Sequence, residues 1–275
     1  MISPERRRSL IVPREHGAWG ILLVPLATGA SAGCLAGGTA WPIAPLTIAA
    51  LALFWLRTPV ENWLGTVPTK ARTEVEVRLV RTAILLLAAI AAAALSALFW
   101  GGRNLELFEI GALAAAAFLS QAAIRQRWRK ARTPAQVVGA AGLTAVAPAA
   151  YAVVTGSLDA TAWSLWVLNL LFAANQIQFV QLRIHAANAK LRAERLSRGT
   201  SFLIGQTVLI ALLASGGAMR TWNWYAAAAF LPALWRGFAW FFAPFRPLMV
   251  HRLGKSELAH AIAFGLLLIL SLAIH

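Results

Sequence analysis

One apolar run ends in the densest set of reactive and hydrogen-bonding side chains in this sequence: Asn175, Gln178, Gln181, His185 and Asn188. Steps of three or four residues put all five on one helical face. Amides inside a membrane are costly unless paired, so this stripe must face a bundle interior or water, or act as interhelical hydrogen-bonding glue. His185 has the chemistry of a general base near neutral pH, with Gln181 one turn before it and Arg183 and Lys190 adding positive charge alongside.

Three further clusters accompany it. Pro13-Arg14-Glu15-His16-Gly17 stands just before an apolar run. It reads either as a helix start, with Pro13 in the first turn and Glu15 complementing the helix dipole, or as Arg14 and His16 pointing into a cavity. Arg57-Thr58-Pro59-Val60-Glu61-Asn62 closes another apolar run, where Pro59 is predicted to end or kink the helix and Arg57 to snorkel or turn inward. Arg236 interrupts an apolar segment. An arginine placed in lipid costs about 2.5–3.5 kcal/mol, so it is expected to face a polar cavity or an anionic partner. Downstream, Glu257 and His260 share a face.

The shared chemistry is anion recognition. The chain has 21 arginines against 4 lysines, a bias toward bidentate contacts with oxyanions. Catalytic roles are expected at His16, His185 and Gln181. Substrate contacts are expected at Arg14, Glu15, Arg57, Glu61, Asn62, Arg72, Asn175, Gln178, Arg183, Asn188, Lys190 and Arg236. Phosphate-loop, zinc-spacing and nucleophile-elbow motifs do not occur. Of the five histidines only His260 is placed to ligate a haem within the membrane, and it lacks an obvious partner.

The elements that position these residues are membrane helices. Of 275 residues 59% are hydrophobic and 13% charged, about half the charge of an average soluble protein, which leaves too little polar surface for a water-soluble globule. Nine spans are predicted, at 18–37, 41–56, 80–99, 106–124, 136–156, 162–182, 201–219, 222–243 and 258–275, in a single all-α transmembrane domain. The net charge of +15 is not a nucleic-acid signature. Its Lys and Arg alternate by side, 22 on one and only Arg103 and Arg220 on the other, so the N terminus is predicted to be cytoplasmic and the C terminus outside. Many of these cations serve topology and contact anionic membrane lipids. Two cytoplasmic loops, about 57–79 and 183–200, are expected to be long and to carry the site. The lone Cys34 forms no internal disulfide.

The Pro13–Trp19 segment, the Arg57-Thr58-Pro59 turn and the stretch from Arg246-Pro247 to Glu257 resemble the YwiC-like family of bacterial inner-membrane proteins, which brings no assigned activity. The topology also resembles, more distantly, the UbiA superfamily of intramembrane prenyltransferases. That resemblance implies a site at the cytoplasmic ends of spans two and six, binding Mg²⁺ and an isoprenoid diphosphate through Asp-rich motifs. Here the only aspartate is Asp159, in an outer loop, so Mg²⁺ has no Asp-rich motif to hold it and arginines would grip the diphosphate directly. The expected function is therefore binding of an isoprenoid diphosphate or quinone-like lipid in a basic, cytoplasm-facing cavity, with prenyl transfer as the implied chemistry. Transport of a small anion or lipid, and a non-catalytic assembly or sensor role in a respiratory membrane complex, are the alternatives.

Overall fold

A computed structural model describes residues 3–13, 16–65, 69–102, 105–128, 132–245 and 247–274. Among them are twelve helices and no strand: α1 (Pro4–Ile11), α2 (His16–Leu35), α3 (Ile43–Leu64), α4 (Glu74–Trp100), α5 (Leu105–Arg127), α6 (Arg132–Thr144), α7 (Val146–Thr155), α8 (Ala160–His185), α9 (Arg192–Ala218), α10 (Trp224–Ala228), α11 (Leu231–Phe242) and α12 (Val250–Ala273). Eight helical stretches are long and apolar enough to cross a membrane, α6 and α7 counting as one, and the chain is a multi-pass membrane protein. The predicted eighth span, 222–243, is divided into α10 and α11, neither of which is long enough alone. The Pro232 ring has no room beside the carbonyl four residues back, which accounts for that break. Pro148 explains the step between α6 and α7 in the same way.

The chain forms two compact units, residues 1–16 with 39–105, and 17–38 with 106–275. In the first, α3 and α4 pack along each other and α1 lies against both. α1 was not foreseen in the basic tail. Ser3 caps it by accepting from Arg6 N, and its Leu10 is fully buried. Arg6 then ties α1 to the α3–α4 linker. Its guanidinium donates to both carboxylate oxygens of Glu76, at 2.7 and 3.0 Å, and to the carbonyls of Thr69 and Lys70. The bonded carboxylate holds the Arg6 pKa above its ordinary value. Glu76 also closes a capping box with Thr73 at the start of α4.

The second unit is built around α8. Phe172 stacks on Phe264 of α12 with centroids 4.1 Å apart, and Phe230 meets Phe264 edge-on at 4.9 Å. α7 is buried along its length. Gly29 of α2 lies so close to it that a Cβ there would sit 2.1 Å from the Ala147 carbonyl oxygen. Asp159 caps α8 through Thr161 N and Ala162 N and accepts from the Tyr151 hydroxyl at 2.9 Å.

Three expectations change. Pro59 does not end its helix, because α3 runs on to Leu64, with Pro59 itself buried in the unit. The linker after α3 is accordingly 65–73 rather than 57–79, and helix α9 begins at Arg192, so the segment after α8 is 186–191 rather than 183–200. Pro13 lies outside the helices and does not occupy a first turn.

Candidate functional site

In the first unit, Arg57 donates through Nε to Glu61 Oε1 at 2.9 Å, one turn on, with both side chains partly exposed. Asn62 is buried. Its amide donates to the carbonyls of Thr58 and of Leu10 in α1, so it serves to attach α1 to α3. Arg72 gives its backbone N–H to Glu76 while its side chain is exposed. Arg14 and Glu15 lie outside the described residues. For His16, only its place at the start of α2 is described.

The other predicted residues fall in the second unit, where the C-terminal part of α8 meets α9, α11 and α12. Their stripe grades from buried to exposed. Asn175 is buried, Gln178 and Gln181 are half-buried, and His185, Asn188 and Lys190 are exposed. Gln181 donates to Gln136 of α6 at 3.0 Å. His185 bonds back to the Gln181 carbonyl at 2.8 Å. The Gln178 amide lies against Gly205 of α9. The face that turns inward is offset from the predicted one and includes Asn169, Gln176 and Phe179.

A pocket of about 110 Å³ opens where α8 ends, lined by Arg183, Arg195 and Trp240 together with small and apolar residues of 186–189 and 243–248. That is several times the volume of one water molecule and enough for a phosphate-sized group. The Trp240 ring carries both cations, Arg183 at 5.8 Å and Arg195 at 5.3 Å from its centroid. Arg195 is 5% exposed and is anchored by carbonyls alone, those of Ala189, Trp240 and Ala243. Among the described residues no carboxylate forms an ion pair with either arginine. Two guanidiniums gathered at one indole ring, neither in an ion pair with a described carboxylate, make a candidate site for an oxyanion. The same donor set does not suit Mg²⁺, which needs hard oxygen ligands and would face two positive charges.

Beside the pocket lies a buried polar cluster that shares the Phe179 ring with it. Arg236 of α11 pairs with Glu257 of α12 and donates to Asn175 Oδ1 at 3.4 Å. Gln176 donates to the Glu257 backbone carbonyl at 2.7 Å. Phe179 joins this cluster to the pocket, with the Arg236 guanidinium 4.2 Å and that of Arg183 6.0 Å from its ring centroid. The expectation that Arg236 turns toward an anionic partner is met by Glu257.

Of the predicted contacts among the described residues, only Arg183 lines this pocket. Sequence reasoning missed Arg195, Trp240, Gln176 and Gln206. A signal for two of them exists in α9, where Arg195, Gly199, Phe202, Gln206, Leu209 and Leu213 alternate in steps of four and three, and this is its buried face.

No curated protein and no solved structure matches the chain. Residues 12–151, just over half of it, match the YwiC-like protein family, a segment that ends before the Arg183–Arg195 pocket begins. With that match across its N-terminal half, the chain belongs to the YwiC-like family.

Proposed function

We propose that this protein binds the phosphate-type headgroup of an isoprenoid-like lipid in the Arg183–Arg195 pocket. The single observation that carries this reading is the pair of partly desolvated guanidiniums, unpaired with any described carboxylate and backed by one indole ring. The setting agrees with it. The pocket opens at the end of a membrane helix, where a lipid presents its headgroup while its chain stays among apolar helices. In this reading the pocket faces the cytoplasm of a bacterial inner membrane and α10 with α11 supplies a ninth, broken span. Prenyl transfer, in a UbiA-like arrangement, is the finer form of the proposal. In it the two arginines stabilise the leaving diphosphate, and an acceptor is deprotonated by a base such as His185.

The test is equilibrium binding of farnesyl diphosphate, with farnesol as control, to the full chain in nanodiscs. Saturable binding of the diphosphate and none of the alcohol is expected. Arg183→Ala should weaken it about tenfold or more, since charge-assisted hydrogen bonds contribute roughly 1.5–3 kcal/mol each. Equal retention of both ligands, or of the diphosphate by the variant, refutes the reading.

A further inference from the structure

The Arg236–Glu257 pair takes no part in the pocket, yet it is built in an unusual way. Glu257 is 5% exposed, and only one carboxylate oxygen, Oε2, reaches Arg236. Oε1 is buried without a hydrogen-bond partner, as are Arg236 Nε, Asn175 Nδ2 and both amide atoms of Gln206, a residue with 0% exposure. Buried polar atoms are normally paired, so orphans on both partners of this ion pair and on the Asn175 amide bonded to it leave the carboxylate an unused acceptor that a proton can occupy. Among the described residues, the charged groups that act on Glu257 are Arg236 from α11, Arg183 from α8 and His260 one turn on in its own helix. Helix α10 also packs on α12 but brings only Tyr225, whose side chain is exposed, and α2 meets α12 through Gly20, beside Leu258 and Ala261, with no charged side chain among its described residues.

We infer that Glu257 is a proton-binding site coupled to the anion pocket, so that an oxyanion is bound together with a proton. The proposal rests on the pocket reading above, because Arg183 belongs to both sites. It lines the pocket and shares the Phe179 ring with Arg236, the two guanidiniums lying 6.0 and 4.2 Å from its centroid. An anion on Arg183 and Arg195 cancels part of the positive potential that keeps Glu257 ionised and adds a repulsion through buried protein, where charges are screened far less than in solvent. The balance is restored when one proton from solvent adds to Oε1, the free oxygen, leaving Oε2 on the Arg236 guanidinium. No other bond forms or breaks. By linkage, a proton taken up on anion binding makes the anion bind more tightly as pH falls.

Calorimetric titration of the full chain in nanodiscs with inorganic sulfate, which does not titrate near neutral pH, tests this. The titration is run in two buffers of different ionisation heat, so that binding and proton uptake are read together. Uptake of up to one proton per sulfate is expected, absent in Glu257→Gln and kept in Glu194→Gln, an exposed carboxylate outside the cluster. A protonated-carboxyl infrared band that appears with sulfate should vanish in the same Glu257→Gln variant. Sulfate binding with identical heats in both buffers overturns the coupling and leaves the pocket reading standing. If neither sulfate nor farnesyl diphosphate binds, both fall.

Discussion

At the scale of single residues, the arginines divide by what neutralises them. Arg6 and Arg57 meet carboxylates near the ends of helices, Arg236 meets one inside the bundle, and Arg183 and Arg195 meet rings and carbonyls. Removing one partner of a buried pair strands the other, so Arg236→Met is expected to lower stability by about 3–5 kcal/mol. The double change Arg236→Met with Glu257→Leu should come back close to the parent, as thermal melts in one detergent would show. Arg195 presents a different requirement. Three carbonyls are served by one planar fork, which an ammonium cannot reproduce. Arg195→Lys should thus lose farnesyl diphosphate binding nearly as fully as Arg195→Ala. These distinctions were only partly legible beforehand. Arg236 announces a partner because lipid penalises a bare charge. Arg195 reads as one more topology-setting cation, because its burial is decided by helices distant in sequence that fold over it.

At the scale of helices, the apolar runs were legible and their ends were not. Runs rich in Leu and Ala mark spans, but α3, α4, α8, α9 and α12 each extend past the apolar core into polar sequence. The Thr73–Glu76 capping box places the start of α4 six residues earlier than hydropathy does. Of the two readings of Pro59, ending or kinking its helix, the first does not hold, since α3 continues past it and packs on α4 and α1. Close helix contact makes its own demands. At Gly29 any side chain runs into the Ala147 carbonyl, so Gly29→Leu should cost about 1–3 kcal/mol, measured as a loss of thermal stability.

At the scale of the molecule, the distribution of charge bears on the divided segment of α10 and α11. If that segment crosses the membrane, Arg220 stays apart from Arg252 and Lys255, and the sidedness of the basic residues is preserved. A C-terminal alkaline phosphatase fusion should then be active and a fluorescent protein at the same place dark, the reverse of what eight crossings would produce. The membrane class was legible in composition alone, whereas the Arg6–Glu76 clamp, spanning 70 residues of sequence, was not. Its consequence is practical. Helix α1 behaves as a latch on the α3–α4 linker, so trimming it, or crowding it with a short affinity tag, amounts to loosening the start of α4 from a distance.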